Sequence, residues 1–263
     1  MRHMGSAVRL LLALPLAFAS LFALAACDDM AAPRDGRSEA AQPFPRADRP
    51  VAPIISTRWS TEEARDRVHE AEDIMDHAGI KPGMTVADIG AGEGYYTVRL
   101  ARRVGPEGRV LAEDIVAEVI DALARRVTRE NWDNVSVKLG TPDDPRLPAA
   151  SFDRVFMVHM YHEIAEPYAF LWHLYPALKP DGEVIVVEPN RAPEEHGMPP
   201  ELLRCEFAAV GFVQIDFMER PSAGGYMARF TPGAGKPADP ASIVPCRLRR
   251  AGEDSDRPRT DEG

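Results

Sequence analysis

The chain has 263 residues, of which 45% are hydrophobic and 27% charged, a balance typical of a globular protein with a substantial core. Its formal net charge of −10 argues against a general nucleic-acid-binding protein, because affinity for phosphate requires a basic surface. No segment after residue 27 is both apolar and long enough to span a bilayer.

The first 27 residues differ in kind from the rest. Arg2 and Arg9, with no acid, precede a nearly continuous apolar run that ends in Leu-Ala-Ala-Cys at Cys27. A basic start, an apolar stretch and small residues before a cut are typical of a secretory signal peptide. The ending resembles a bacterial lipobox, which implies lipidation of Cys27 and a lipoprotein of the cell envelope, anchored on the periplasmic side of the membrane. In such lipoproteins an aspartate after the cysteine, here Asp28, often favours retention at the inner membrane.

Two alternatives to a lipoprotein stay open. The leader could be an ordinary signal peptide or an uncleaved anchor with an incidental cysteine. Translation could also start at Met30, which would give a cytoplasmic protein.

Two segments, 28–58 and 232–263, are rich in proline, alanine and charged residues. Such sequences bury too little apolar surface to offset the entropy of ordering, so we expect a flexible, disordered tether and a largely disordered tail. Cys205 and Cys246 could pair in an oxidising compartment, but the pattern favours one buried thiol and one thiol in a loose tail. No cysteine spacing is typical of a metal site.

Between these segments, strand-like and helix-like runs alternate. The region opens with a helix that has a capping-box pattern at Ser60 and Glu63. Further helices are predicted over 95–104, 116–130, 166–178 and 199–210, each following a strand-like run, and the last two strand-like runs have no helix between them. The pattern predicts an α/β three-layer sandwich. Its seven-stranded sheet would be mostly parallel, with an antiparallel terminal strand and helices on both faces.

A glycine-rich turn follows the first predicted strand. Gly90, Gly92 and Gly94 come directly after an apolar run that contains Asp88. Glycines at a strand-to-helix turn allow a ligand to lie against the backbone. A dinucleotide fingerprint would need glycine at position 95, which is Tyr95, and an acid would repel a pyrophosphate. The turn therefore favours a ligand that carries an ammonium or sulfonium group.

The segment "VADIGAGEGYYTVRLA" resembles motif I of the class I (Rossmann-like) S-adenosylmethionine-dependent methyltransferase family. Three later segments, "GRVLAEDI", "GTPDDPRLPAASFD" and "LKPDGEVIVVEP", resemble further motifs of this family in the same order. The resemblance runs from about Trp59 to Phe230 and implies a methyltransferase domain over 59–231, with S-adenosyl-L-methionine as cofactor. The cofactor-binding residues that it implies are Asp88, Gly90, Gly92, Gly94, Glu113, Asp114, Thr141 and Asp143.

The family motifs also suggest individual roles. Asp114, with Glu113 as the alternative, is expected to hold the ribose hydroxyls through charge-assisted hydrogen bonds. Where the family usually has an acid that contacts the adenine amino group, this chain has Thr141. Asp143 or a backbone group is expected to replace that acid. Either Tyr95 or Tyr96 could cover the cationic end of the cofactor with its ring, although Tyr96 could equally pack beneath the first helix.

The methyl acceptor is expected beyond the fourth strand, within "MVHMYHEI". In the functional interpretation, His162 or His159 takes a proton from the acceptor and Glu163 orients the imidazole. In the structural interpretation, His162 and Glu163 begin a helix and His159 is a core side chain. A metal site is less favoured, because H-x-x-H-E is not H-E-x-x-H and no further histidine has obvious ligand spacing.

The sequence therefore predicts a methyltransferase for a small-molecule or lipid-like acceptor. The segment "EPNR" replaces the "NPPY" kind of motif of enzymes that methylate nucleic-acid amino groups, so no nucleic acid is expected as partner. An inactive, lipid-anchored binding protein with the same fold is the main alternative. A nicotinamide-dependent oxidoreductase is a weaker one, because of Asp88 and Tyr95. The leader conflicts with the cytosolic origin of the cofactor, which keeps the start at Met30 open.

Overall fold

The computed structural model describes residues 36–54, 60–220 and 225–248; the leader with Cys27 lies outside these ranges. Met1–Gly36 and Arg37–Gly263 are separate units, and everything below concerns the second. Its seven strands have the order β3-β2-β1-β4-β5-β7-β6. The strands are β1 Thr85–Ile89, β2 Arg109–Asp114, β3 Val135–Leu139, β4 Phe152–Val158, β5 Leu178–Glu188, β6 Phe212–Arg220 and β7 Gly225–Pro232. The helices are α1 Glu62–Arg67, α2 Glu70–His77, α3 Tyr95–Val104, α4 Ala117–Arg129, α5 Pro167–Leu174 and α6 Pro200–Ala209.

The sheet confirms the predicted fold class. Strands β1 to β5 pair in parallel, and β7 is antiparallel to both β5 and β6. Adjacent residues of β1 point to opposite faces: Val86 packs in a cluster with Leu100 of α3, and Ala87 in a cluster with Leu171 of α5 and Phe207 of α6. Both faces are thus covered by helices, which is why the central strands are largely apolar.

The opening helix differs from the prediction. It is broken into α1 and α2 at His69, whose φ is +51°. Its N-cap is Thr61, which accepts a hydrogen bond from the Ala64 N–H through its side chain, and not Ser60. Among the helices within the described ranges, none combines the length and the apolarity needed to cross a bilayer.

Residues 37–54, called the strap below, were predicted as part of a disordered tether, and this is wrong for the part that the structure describes. The side chains of Ala41, Phe44 and Ala52 are buried. Arg49 donates to Glu206 of α6 at 2.8 Å, and both side chains are fully buried. The few apolar residues and this ion pair are sufficient to hold a proline-rich segment on the domain.

The predicted disordered tail is also wrong for 233–248. Ile243 and Cys246 are buried, and the Cys246 N–H donates to the Tyr168 hydroxyl. Cys246 forms a disulfide with Cys205 of α6, at a Cα–Cα distance of 5.9 Å. The prediction of one buried thiol and one thiol in a loose tail is therefore wrong. This bond fixes the tail, whose composition alone would not hold it.

Candidate active site

A cavity of about 470 Å³ lies at the carboxyl ends of β1, β2 and β4. This is the usual position of a ligand in an open α/β sheet, and the volume is typical of small-molecule sites. One end of the cavity, the glycine end, is lined by Gly90, Gly92, Glu113, Asp114 and Thr141. The other end, the histidine end, is lined by His159, His162, Glu163, Arg191 and His196.

The glycine turn has the backbone that its sequence predicts. Gly90 has a φ of +66°, and a Cβ there would lie 2.9 Å from the Met160 side chain. Gly94, at φ +89°, does not line the cavity; it allows close approach of α4, because a Cβ would lie 2.5 Å from Leu123. Of the three predicted glycines, Gly90 and Gly92 face the cavity and Gly94 supports the turn.

Asp88 does not line the cavity, which corrects the prediction that it lies beside the ligand. It is 3% exposed and accepts a 2.6 Å hydrogen bond from the Thr97 hydroxyl. Burial raises the pKa of Asp88 to about 6, against the opposing effects of the Thr97 bond and of Arg65. The carboxyl thus lies beneath the turn and fixes α3 to β1.

Asp114 and Glu113 form the acidic part of the glycine end. Asp114 accepts hydrogen bonds from the backbone N–H of Gly92 at 3.1 Å and of Val116 at 3.0 Å. Glu113 is 1% exposed, and within the described part of the chain its Oε1 has no hydrogen-bond partner. Burial and the nearby Asp114 raise the pKa of Glu113 to about 8. Gly140 allows this arrangement, because a Cβ there would collide with the Glu113 carboxyl.

Thr141 and Asp143 have different positions. Thr141 lines the cavity, and both its N–H and its hydroxyl donate to the Asp144 carbonyl. Asp143 is buried outside the cavity lining and accepts a 2.7 Å hydrogen bond from Ser38 of the strap. Asp143 therefore does not replace the missing acid, and the backbone at Thr141 and Pro142 is what remains at that side of the cavity.

At the histidine end, one buried carboxylate fixes the loop that follows β4. Glu188, at the end of β5, bonds His162 Nδ1 through Oε2 at 2.8 Å and accepts from the Tyr161 N–H through Oε1 at 2.7 Å. Because a carboxylate accepts, we assign the proton of His162 to Nδ1 and the lone pair to Nε2. Nε2 lies 4.0 Å from Glu163 Oε1. Sequence reasoning missed Glu188; an acid that ends the apolar run "VIVV" is the only local signal.

The strap holds the same loop from the other side. The Ala52 N–H donates to the His162 carbonyl at 3.1 Å. The Tyr161 hydroxyl donates to Glu206 at 2.8 Å, next to the Arg49 ion pair. Tyr161 and His162 of the short Tyr161–Glu163 turn are therefore fixed by residues that are distant in sequence.

His159 lines the cavity and lies beside an acid on α2, a partner that neither interpretation of the sequence named. Its Nε2 lies 3.5 Å from Glu70. Burial opposes ionisation of Glu70, but hydrogen bonds from His159 and Arg65 outweigh it and lower its pKa to about 2. Arg65 also lies 3.9 Å from the Tyr95 ring centroid, and Arg99 lies 3.8 Å from it. The Tyr95 ring, at the cavity wall, is thus in contact with two guanidinium groups of the protein itself.

Tyr96 follows the alternative of packing beneath the first helix. It is buried, contacts the Phe156 ring at a centroid distance of 6.0 Å, and donates to Glu70 of α2. It has no place in the cavity wall.

The central part of the chain is similar to known methyltransferases. Residues 86–182 match the family model of a methyltransferase domain. Nocamycin O-methyltransferase of Saccharothrix syringae is 33% identical over 129 residues, which cover 47% of this chain and 44% of that protein. Demethylmenaquinone methyltransferase of Symbiobacterium thermophilum is 30% identical over 112 residues, covering 42% and 45% of the two chains. The chain spans about half the length of the curated relatives it matches.

Solved structures agree on the fold. A SAM-dependent methyltransferase from Aquifex aeolicus superposes with a TM-score of 0.58 and 26% identity, over 64% of this chain and 90% of that one. The [4+2]-cyclase SpnF superposes with a TM-score of 0.55 over 74% of this chain and 90% of that one, but at 16% identity it shows the fold alone.

Proposed function

We propose that this chain, whose residues 86–182 carry a methyltransferase domain, transfers a methyl group from S-adenosylmethionine to a small-molecule or lipid-like acceptor. The observation that carries the proposal is one cavity that joins a glycine turn with two carboxyls to a buried, oriented histidine. The first end suits a nucleoside without phosphates, and the second suits an acceptor that loses a proton.

The residues of the glycine end fit the cofactor. Glu113 Oε1 is a buried polar atom without a partner among the described residues, at a place where a ligand hydroxyl or amine would satisfy it. Asp114 can accept further hydrogen bonds beyond its two from the backbone. Gly90 and Gly92 leave the backbone accessible. These residues would hold the nucleoside part of S-adenosylmethionine.

When bound, S-adenosylmethionine would supply an activated methyl group, which a lone pair of the acceptor would take while the electron pair of the broken bond stayed on sulfur. The protein's contribution is to align the acceptor and exclude water. His162 and Glu163 lie where the acceptor would enter, and the Nε2 lone pair and the Glu163 carboxylate favour loss of a proton from it. Glu188 orients His162 for this role.

Titration of the purified chain with S-adenosylmethionine and with NAD tests the cofactor assignment. Binding of the first and not of the second is expected. Binding of NAD alone would favour the oxidoreductase, and binding of neither would refute the proposal.

Transfer of a labelled methyl group to components of membrane extracts tests the activity. We expect His162→Ala to lower the rate by about 10²–10⁴-fold, the usual contribution of a proton-transfer group, while it still binds S-adenosylmethionine. His77→Ala, which changes an exposed histidine at the end of α2, is the matched control and should keep full activity. Cofactor binding without transfer to any component would favour the inactive binding protein.

We also propose that the domain acts in the bacterial cell envelope, anchored through a lipid on Cys27. The Cys205–Cys246 disulfide supports an oxidising compartment, since structural disulfides persist mainly outside the cytosol. Mass spectrometry of the native N-terminus tests this: a lipidated Cys27 is expected, and a protein that starts at Met30 would refute it.

A further inference from the structure

We propose that His162, Glu163 and His196 form a binding site for a divalent transition-metal ion of the Zn²⁺ class at the histidine end of the cavity. One ligand atom from each residue can be chosen so that all three lie within 4.8 Å of one another. Two imidazoles and one carboxylate are a usual ligand set for such ions, and they leave a fourth position open. The inference rests on the proposed function only for the role given to the metal.

The orientation of His162 is the first argument. Glu188 holds Nδ1 at 2.8 Å, as carboxylates do behind metal-bound histidines, where they fix the ring and raise its basicity. Nε2, the other ring nitrogen, lies 4.0 Å from Glu163 Oε1. An imidazole nitrogen and a carboxylate oxygen are both usual ligands of such ions.

The position of His196 is the second argument. Its ring lies edge-on to that of His162, with 5.4 Å between centroids. The backbone of His196 has a φ of +58°, in the left-handed region that ends the short Pro193–Glu195 turn. Arg191 donates to the His196 carbonyl at 3.3 Å and so holds the turn that carries this ring.

The three groups need only a small movement to bind a metal. Ligand atoms about 2.0–2.1 Å from a tetrahedral zinc are roughly 3.3 Å apart, so separations of up to 4.8 Å would close by up to about 1.5 Å. His162 is fixed by Glu188, whereas Glu163 and His196 are only partly buried and can approach it.

A metal here would deepen the proposed function. In its open position it would hold an oxygen or sulfur atom of the acceptor and make that atom more acidic, so that the proton leaves to solvent before the methyl group arrives. The His162 lone pair would then serve the metal and not receive the proton itself. This assigns the acceptor to the class of hydroxyl or thiol compounds.

Calorimetric titration of the full-length chain with zinc chloride tests the site. A mild detergent keeps the apolar leader in solution. We expect one ion per chain, and binding weakened by about tenfold or more in His196→Ala and in Glu163→Gln, which both change partly exposed side chains. Glu188→Gln should weaken binding by about 10–100-fold through the orientation of His162. His77→Ala should bind as the wild type does.

Two results would overturn the inference. One is no stoichiometric zinc binding by the wild type. The other is an affinity for zinc in His196→Ala and in Glu163→Gln that equals that of the wild type. Thermal melts without zinc establish that each variant is folded. Titration of the same samples with S-adenosylmethionine separates the two proposals. Zinc binding without cofactor binding refutes the proposed function alone, and cofactor binding without zinc refutes the metal site alone.

Discussion

The glycine end and the histidine end of the cavity are built from different kinds of contact. At the glycine end, Asp114 accepts from the backbone of the glycine turn and of the first turn of α4, both near it in sequence or on the neighbouring strand. At the histidine end, His162 is fixed by Glu188 of β5 and by Ala52 of the strap. The first end is thus specified by the ends of two paired strands, β1 and β2. The second depends on the docking of distant segments, and it should fail first when those segments are disturbed.

The largest effect is expected at the buried ion pair of the strap. Arg49→Ala leaves Glu206 buried without its partner, which should lower the free energy of unfolding by about 3–5 kcal/mol. Urea unfolding measures this. Arg247→Ala is the matched control, because the Arg247–Asp48 pair is exposed and should contribute less than about 1 kcal/mol. Equal losses in the two variants would show that burial of the pair is not what holds the strap.

The next largest loss of stability is expected on removal of the disulfide, which is attached to α6 as the strap is. The double variant Cys205→Ser, Cys246→Ser should lose about 2–4 kcal/mol, since the bond restricts the unfolded chain. Thermal melts with and without dithiothreitol are the measurement. The reductant should destabilise the wild type and leave the double variant unchanged. A wild type indifferent to reductant would contradict the proposed importance of this bond.

A smaller effect is expected at the glycine end. Asp114→Asn retains the shape of the side chain and removes its charge, so affinity for S-adenosylmethionine should fall by about 10–100-fold, with little change in stability. Calorimetric titration measures the affinity. Asp121→Asn, an exposed position on α4, should bind normally. If Asp114→Asn instead unfolds the chain, its role is structural and the division between the two ends is weaker than proposed.

The smallest effect is a pH dependence of stability. Because the pKa of Glu113 is raised from 4.5 to about 8, the folded protein binds this proton more tightly than the unfolded chain does. The free energy of unfolding therefore falls as pH rises through this interval, by roughly 1 kcal/mol between about pH 7 and pH 8 from this group. Glu113→Gln should remove that slope in urea unfolding at the two pH values, whereas Glu107→Gln, at an exposed site, should keep it. An unchanged slope in Glu113→Gln would contradict the assignment.

The glycine end of the cavity could be predicted from the sequence more fully than the histidine end. The turn at Gly90 and Gly92 is one recognisable motif and the acid at Asp114 belongs to another, and the structure brings both to one end of the cavity. Asp88 belongs to the motif of the glycine turn, yet its carboxyl lies beneath the turn on Thr97. The direction of a side chain at the end of a buried strand depends on the packing of the following helix, so the argument from a charge beside the ligand applies to Asp114 instead.

The histidine end was predicted only in part. His162 and Glu163 follow β4 and could be recognised, but their partners come from elsewhere in the chain: Glu188 from β5 and His196 from the turn after it. Arg49 was missed because proline-rich composition indicates disorder and does not reveal a single buried ion pair. The alternating helices and strands, by contrast, predicted the sheet and its antiparallel strand, since hydrophobic periodicity is a local property.

The hydrogen bond from Ala52 to the His162 carbonyl has a mechanical consequence. A force applied to the chain before the strap would be transmitted through Ala52 to the Tyr161–Glu163 turn, and would shift the imidazole before it reached β1 or β2. Proteolytic removal of the strap would accordingly change the two halves of the cavity unequally. The glycine end would lose the Ser38–Asp143 bond beside it, while the histidine end would lose the Ala52 bond to the His162 carbonyl and keep the Glu188 bond to its ring.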